Sequence, residues 1–250
     1  MNAIAFLGVS FANCHLPEVL DRIMNASSGD SFHYVVTPNV DHVVLLSEEG
    51  DEPWRVAMRD AVKHSDLCIN DSRILSHLAR LSGKRLPVVP GSDLTREVIA
   101  RLQERTGTIA LVGGRQPELD WLRTALPNHK VLHLDPPMGV RDNIETQRAI
   151  AEFIETAQAD IIFLAIGAPQ SEIVARLISR RQNARGVALC IGASIEFLSG
   201  SKVRAPSLIQ RLSLEWLHRL ASEPRRLAYR YLVRGPRIFA VWWRWERRKG

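Results

Sequence analysis

The feature that most constrains the fold is the alternation of short apolar runs with longer amphipathic stretches along residues 1–200. Runs rich in Val, Ile and Leu predict strands at 4–11, 33–36, 67–70, 108–112, 131–134, 161–166 and 187–191. The intervening stretches predict helices at 17–25, 40–46, 53–63, 73–80, 94–105, 117–125, 143–157 and 170–181. Because strands that alternate with helices are typical of βα units, we expect an α/β fold with a mostly parallel sheet flanked by helices.

The first apolar run ends near Cys14 and admits a second interpretation, as the start of a secretory signal. No basic residue precedes it, and apolar and small residues alternate within it, so a core strand fits at least as well. Cys14, Cys68 and Cys190 have no CxxC or metal-ligand spacing. We therefore expect reduced, buried thiols in a cytoplasmic protein.

The segment after residue 200 differs from the rest in charge and periodicity. Residues 202–249 contain 13 Lys and Arg but three acidic residues, a net charge of +10; the whole chain carries +6, so residues 1–201 carry −4. Its apolar residues recur at helical spacing, at Leu208, Leu212, Trp216, Leu220, Leu227 and Tyr231. We expect an α/β domain over 1–200 and a basic helical appendage over 201–250. No apolar run reaches the roughly 18 residues of a membrane-spanning helix.

Polar residues or glycines follow five of the predicted strands, and in a parallel sheet these strand ends lie along one edge, where ligands bind. They are Thr37–Asn39, Asn70–Ser72, Gly113–Gly114, Gly167–Pro169 and Gly192–Ser194. A glycine there lets a phosphate approach backbone N–H groups at a helix start, although glycine after a strand is also ordinary turn chemistry.

Asp71 is the most informative carboxylate, because it directly follows an apolar strand and precedes a helix. Two interpretations remain open from its local sequence: a helix cap or Asx turn, and a general base at the sheet edge. Thr37 and Asn39 likewise suit either a hydroxylated ligand or the cap of the next helix.

Other enzyme signatures are missing from the sequence. It contains no GxGxxG fingerprint, Walker A loop or GxSxG elbow, and no HxxxH pair with a supporting acid. We therefore expect neither a metal site nor a bound cofactor.

A set of short motifs distributed over nearly the whole chain closely resembles the bacterial WecG/TagA/CpsF glycosyltransferases, glycosyltransferase family twenty-six. These motifs are TPN at 37–39, GSDL at 91–94, GG at 113–114, PPMG at 136–139, GAP at 167–169, RAP at 204–206, LEW at 214–216 and EPRR at 223–226. The resemblance implies a Rossmann-like domain with a membrane-contacting appendage, at the cytoplasmic face of the bacterial inner membrane.

The resemblance also implies an activity, the inverting transfer of a sugar from a UDP-sugar donor to a polyprenyl-diphosphate-linked acceptor. By position, Asp71 matches the proposed catalytic base of the family, and Thr37 and Asn39 match residues that line its pocket. Gly113, Gly114 and Gly167 are further candidates for substrate contact.

The sequence departs from the family pattern at Ser72, at Val88 and at Ser171, which replaces the family's pocket glutamine. A changed pocket argues for a donor other than N-acetylmannosamine-type sugars. The chain looks most like GumM-type glucosyltransferases, which add β-1,4 glucose during xanthan-like exopolysaccharide assembly; the alternative is an N-acetylmannosaminyl-type transferase of teichoic-acid or surface-antigen assembly.

The appendage interleaves arginines with Trp216, Tyr231, Trp242, Trp243 and Trp245. Such a segment suits an anionic membrane surface, and its arginines could clamp a diphosphate bidentately. We expect Arg204, Arg219, Arg226 and Arg230 to contact the diphosphate and the last turns to contact lipid. Nucleic-acid binding and a non-catalytic nucleotide-binding role are the rival interpretations, and a Trp-rich apolar stripe disfavours nucleic acid.

Overall fold

The computed structural model describes residues 2–202, 206, 209 and 215–248. Within that part of the chain the strands are β1 (Ala3–Phe6), β2 (Val9–Ala12), β3 (Phe32–Val36), β4 (Leu67–Cys68), β5 (Gly107–Val112), β6 (His129–Leu134), β7 (Ile161–Leu164) and β8 (Gly186–Cys190). The helices up to the appendage are α1 (Leu16–Ala26), α2 (Val40–Ser47), α3 (Pro53–Lys63), α4 (Arg73–Leu81), α5 (Gly91–Leu102), α6 (Gln116–Ala125), α7 (Ile144–Ala157), α8 (Gln170–Arg181) and α9 (Ser194–Leu198).

Six strands form one sheet in the order β4-β3-β8-β7-β5-β6, and every neighbouring pair is parallel. The predicted α/β fold with a parallel sheet flanked by helices is therefore confirmed. The last strand, β8, lies between β3 and β7, and its Cys190 is level with Val36 on one side and Leu164 on the other. The carboxyl ends of the three central strands consequently meet at one edge of the sheet.

Both faces of the sheet are covered, which explains why its strands are continuously apolar. In β7, Ile162 and Leu164 face one hydrophobic cluster, built with α2, α4, α7 and α8. Ile161 and Phe163 alternate to the opposite cluster, built with α1, α5, α6 and α9. Because side chains alternate along a strand, a run of four apolar residues supplies both cores.

The first predicted strand is wrong as a single sheet strand. Residues 4–11 form most of an antiparallel hairpin, in which β1 pairs with β2 outside the six-stranded sheet. Leu7 and Gly8 occupy the turn with φ of 52° and 80°, the left-handed values that a two-residue hairpin loop requires. Phe6 and Phe11 are nevertheless fully buried against the body, so the apolar pattern indicated burial but not topology.

The described appendage contains α10 (Glu215–Ser222), α11 (Pro224–Ala228), a π-helix (Tyr229–Arg234) and α12 (Arg237–Arg247). Trp216 and Tyr231 lie with ring centroids 6.3 Å apart, and Leu227 is buried, as the helical spacing predicted. Leu208 and Leu212 lie outside the described residues. The division into parts at residue 200 stays a prediction.

Helix α12, in the segment expected to contact lipid, packs one of its faces on the α/β body. Ile238 and Val241 are buried in the core cluster that contains α2. Trp245 meets Phe6 edge to face at 5.1 Å, and the indole N–H of Trp242 donates to Ser82 Oγ at 2.8 Å. These two tryptophans pack against the body, whereas Trp243 is 55% exposed.

We expect Trp245→Ala to lower the free energy of unfolding by about 2 kcal/mol, because it removes a half-buried aromatic contact with Phe6. The matched variant Trp243→Ala removes an exposed indole from the same helix and should change stability by less than about 0.5 kcal/mol. Urea unfolding followed by circular dichroism measures both values. Equal losses of stability in the two variants would contradict the packing of only one face of α12 against the body.

Candidate active site

Three side-chain oxygens from different strand ends converge around Gly91, the first residue of α5. A Cβ placed on Gly91 would lie 3.4 Å from Thr37 Oγ1, 3.7 Å from Ser194 Oγ and 3.9 Å from Asp71 Oδ1. These residues follow β3, β8 and β4 respectively. The parallel sheet thus brings predicted candidates Thr37 and Asp71 together and adds Ser194, which the strand-end pattern had included without a role.

Asp71 is held in this cluster by two backbone contacts. Its N–H donates to Pro38 O at 3.1 Å, and its Oδ1 accepts the N–H of Gly91 at 2.7 Å. The cap of the following helix α4 is Ser72, whose Oγ accepts the N–H of Leu75. The cap interpretation of Asp71 is therefore wrong for its own helix; its carboxylate reaches across to the start of α5.

Thr37 and Asn39 have different environments at the end of β3. Thr37 is buried, and its hydroxyl donates to Cys190 O at 3.0 Å, which ties β3 to β8. Asn39 is partly exposed and caps α2, with Oδ1 accepting the N–H of Asp41 at 3.0 Å. Capping α2 uses the side-chain oxygen of Asn39 and not its NH2 group. The cap interpretation is therefore compatible with a ligand contact through that NH2 group.

The glycine turns after β5 and β7 touch each other at the same edge. Gly113 has a φ of 81°, and a Cβ there would lie 2.8 Å from Ile166 Cγ2 and 3.0 Å from the carbonyl carbon of Ala165. Gly114 and Gly167 also have positive φ, at 74° and 78°. Glycine is required at Gly113 by both its conformation and the close approach.

Ser171, a candidate for substrate contact, is buried at the start of α8. It is 1% exposed, and its hydroxyl donates to Leu164 O at 3.2 Å. The next residue, Glu172, is also buried and lies 3.2 Å from His42 Nε2. Sequence reasoning assigned no role to His42 or Glu172, because 130 positions separate them and only the fold brings them together.

A cavity of about 430 Å³ opens between the carboxyl edge and the appendage. Its lining includes Trp54, Arg141 and Pro169 from the body and Tyr229 and Arg234 from the appendage. A larger cavity of about 610 Å³ lies at the opposite edge, beside Asp160 and Arg185. The smaller cavity borders the starts of α2 and α8, near the carboxyl edge where open parallel sheets bind ligands, but Thr37, Asp71 and Ser194 are not among its lining residues.

Ion pairs dock the appendage beside this cavity. Arg230 and Arg234 both approach Asp41, with N–O distances of 3.3 and 3.2 Å, and Arg237 pairs with Glu48 at 3.0 Å. Asp41 and Glu48 lie at the two ends of α2. The basic appendage is thus held by acidic groups at both ends of α2.

The predicted diphosphate arginines are only partly described. The guanidinium of Arg219 lies 4.7 Å from the ring centroid of Phe197, in α9, and Arg230 lies beside Asp41. Both therefore reach elements that begin at the carboxyl edge. Arg204 and the side chain of Arg226 lie outside the described residues.

The cysteines are buried and unpaired, as predicted. Burial raises the pKa of Cys68 to about 12. Burial, with a smaller contribution from Glu172, also raises the pKa of the Cys190 thiol well above its ordinary value. Both thiols stay protonated at neutral pH, so they are poor nucleophiles although they lie at strand ends near the site.

A protein-family comparison matches residues 4–250 to the model described as "Glycosyl transferase WecG/TagA/CpsF family". The match includes the strand-end cluster as well as the appendage. Among the helices that the structure describes, none combines the length and the apolar character needed to cross a bilayer.

We expect Gly113→Ala to destabilise the fold by at least about 2 kcal/mol more than Gly139→Ala. Both glycines have positive φ, but a Cβ at Gly139 would meet no atom within 4 Å, whereas one at Gly113 would meet Ile166 and the Ala165 backbone. Chemical unfolding of the two variants separates the clash from the shared backbone strain. Similar losses would contradict the close packing of the two turns.

Proposed function

The chain belongs to the WecG/TagA/CpsF family of glycosyl transferases, which supports a role in surface polysaccharide assembly, and from that premise we propose the reaction. The proposed enzyme transfers a sugar, with inversion, from a UDP-sugar to a polyprenyl-diphosphate-linked saccharide. The observation that carries the proposal is the Asp71 carboxylate, held by the Gly91 N–H within the Thr37 and Ser194 cluster.

Asp71 is suited to act as the general base. Gly91 is the first residue of α5, and a helix N-terminus favours a negative charge, so this contact supports the ionised carboxylate. The carboxylate takes the proton of the acceptor hydroxyl as its oxygen forms a bond to the anomeric carbon. The bond from that carbon to the diphosphate oxygen breaks on the opposite face, UDP leaves with the electron pair, and the anomeric configuration inverts.

The glycine turns supply groups that could stabilise the departing diphosphate. Gly113, Gly114 and Gly167 precede the N-termini of α6 and α8, where backbone N–H groups and the helix dipole favour anions. In this proposal the protein needs no metal for the step, and full activity in EDTA would support that expectation. Within the described residues, His, Cys, Asp and Glu side chains form no group of three suited to a metal ion.

The donor is proposed to be UDP-glucose, as in GumM-type enzymes of xanthan-like exopolysaccharide assembly, with formation of a β-1,4 linkage. Support comes from Ser171, which stands in place of the family's pocket glutamine and turns its hydroxyl toward Leu164 O. Relative to the family pattern, position 171 thereby lacks a long amide side chain. An N-acetylmannosaminyl-type reaction is the alternative within the family.

A screen of UDP-sugars against glucosyl- and N-acetylglucosaminyl-diphosphate lipids, with linkage analysis of each product, distinguishes these donors. We expect transfer of glucose to the glucosyl lipid. Preferred transfer of N-acetylmannosamine would replace this assignment with the alternative. Binding of UDP-sugar without turnover of any acceptor would instead favour a non-catalytic nucleotide-binding protein.

The appendage is proposed to bring the enzyme to the cytoplasmic face of the membrane and to contact the acceptor diphosphate through Arg204, Arg219, Arg226 and Arg230. Large apolar side chains are exposed along its described part, at Leu217, Tyr229, Leu232, Val233, Phe239 and Trp243. Their combination with arginines suits the headgroup region of an anionic bilayer.

We expect Asp71→Asn to lower kcat by at least about 100-fold, because the amide cannot accept the acceptor's proton. Its oxygen can still accept the Gly91 N–H, so UDP binding and stability should remain near wild type. Asp135→Asn removes the same charge from an exposed position after β6 and serves as the control. Single-turnover assays and calorimetric UDP binding measure the two effects; near-normal turnover of Asp71→Asn would exclude the base assignment.

We expect Phe239→Ser combined with Trp243→Ser to weaken binding to anionic vesicles by about 10-fold or more, because both side chains are more than half exposed on α12. Val56→Ser with Leu81→Ser removes exposed apolar groups from the body and should leave binding unchanged. Vesicle flotation, paired with oligonucleotide binding at the same ionic strength, measures this difference. Unchanged flotation, or tighter binding to the oligonucleotide, would contradict the membrane role.

A further inference from the structure

Gly91 leaves a space beside the Asp71 carboxylate. Apart from its own chain neighbours and the adjoining backbone of α5, the described atoms nearest to a Cβ built on Gly91 would be three oxygens. Thr37 Oγ1 would lie at 3.4 Å, Ser194 Oγ at 3.7 Å and Asp71 Oδ1 at 3.9 Å. These distances are ordinary van der Waals contacts, so one further heavy atom fits at this point without a clash.

The backbone at position 91 does not require a glycine. The φ of Gly91 lies outside the left-handed region, and Gly91 is the first residue of α5, a position that a residue with a side chain can occupy. Gly113, by contrast, has a positive φ and a Cβ there would clash. Neither conformation nor packing therefore explains the absence of a side chain at Gly91.

The hydrogen bonds of the two hydroxyl groups determine what they can offer to a ligand. Thr37 Oγ1 donates to Cys190 O at 3.0 Å, and Ser194 Oγ donates to Ile191 O at 2.7 Å. A carbonyl oxygen can only accept, so both hydroxyl hydrogens are committed to the backbone. Each hydroxyl oxygen keeps its lone pairs, and no described residue donates to either oxygen. With the carboxylate of Asp71, the space is bordered by hydrogen-bond acceptors.

A border of acceptors selects a ligand group that donates hydrogen bonds. A sugar hydroxyl is such a group, whereas a phosphate or carbonyl oxygen would meet acceptors without a matching donor. A divalent cation is less suited, because only one of the three oxygens belongs to a charged group. In the proposed reaction the attacking hydroxyl donates to Asp71. The hydroxyl on the adjacent carbon of the same sugar ring is then the group nearest to Thr37 and Ser194.

We propose that the space beside Gly91 is a subsite for a hydroxyl group of the acceptor sugar, next to the hydroxyl that is glycosylated. This neighbouring hydroxyl donates its hydrogen to Thr37 Oγ1 and Ser194 Oγ, which makes Ser194 a specificity-determining residue. The inference rests on the proposed glycosyltransferase function and identifies the acceptor group that the site recognises. For a β-1,4 linkage to glucose, that group is the hydroxyl on C3.

Gly91→Ala tests the subsite directly, because its methyl group fills the space. The variant should unfold at a denaturant concentration no lower than wild type, since the methyl group meets no listed neighbour closer than 3.4 Å and alanine restricts the unfolded chain. We expect kcat/KM for the glucosyl-diphosphate lipid to fall by at least about 30-fold, with UDP binding unchanged. Gly29→Ala makes the same change in the loop before β3 and should keep wild-type kinetics. A destabilised Gly91→Ala would contradict the open space, and turnover within about 3-fold of wild type would contradict its use.

Modified acceptors test which group occupies the subsite. Removal of the C3 hydroxyl from the glucosyl lipid should raise the acceptor KM by about 10-fold, because one hydrogen bond is lost. The 3-fluoro acceptor should be no better, since fluorine cannot donate and the subsite offers only acceptors. A KM restored by fluorine would overturn the assignment. A loss confined to 3-deoxy UDP-glucose would show that the space belongs to the donor instead.

Ser194→Ala tests whether the enzyme and the C3 hydroxyl act together. The N–H of Ser194 also donates to Ile191 O, at 3.1 Å, so this carbonyl keeps a partner when the Ser194 hydroxyl is removed. We expect the variant to raise the KM of the intact acceptor by about 5-fold and to reduce the loss on 3-deoxygenation to about 3-fold or less. An equal loss on deoxygenation in wild type and variant would exclude the contact. No transfer by the wild type would refute the proposed function and this occupant with it, whereas normal transfer that is insensitive to Gly91→Ala and to the C3 hydroxyl would refute the subsite alone.

Discussion

The parallel direction of all six sheet strands is the constraint on which the rest of the structure depends. Each connection must return across a face of the sheet, so both faces are covered by helices and the strands are apolar throughout. The same direction places every carboxyl end at one edge. Thr37, Asp71 and Ser194 meet there although 34 and 123 positions separate Asp71 from the other two.

Much of the fold follows from local patterns, because apolar periodicity reports burial. The pattern located the β7 and β8 strands and the helices between the sheet strands. It missed the turn at Leu7 and Gly8, since the alternation of apolar residues is the same in one strand and in a hairpin. It likewise could not separate Trp242 and Trp245 from Trp243, because one helix carries both a packed face and an exposed face.

The site was predictable to the extent that it lies on strand ends. Asp71 was found because it follows an apolar strand, but its contact with Gly91 spans 20 positions and has no local signal. Ser72, the actual cap, is as good a capping residue as Asp71, so sequence could not choose between them. His42 and Glu172 are single residues on two helices, and only the positions of β3 and β7 around β8 bring them together.

The body and the appendage carry opposite net charges, and ion pairs join the two. A body with a net charge of −4 carries Asp41 and Glu48 on α2, and an appendage of +10 places Arg230, Arg234 and Arg237 against them. Such partly exposed ion pairs are individually weak, and in the proposed function a diphosphate or an anionic lipid replaces a carboxylate as the partner of these arginines. Helix α12 is held by apolar contacts, which do not depend on that exchange. Under that proposal the appendage stays attached through α12 while its π-helix arginines, now beside Asp41, change partners.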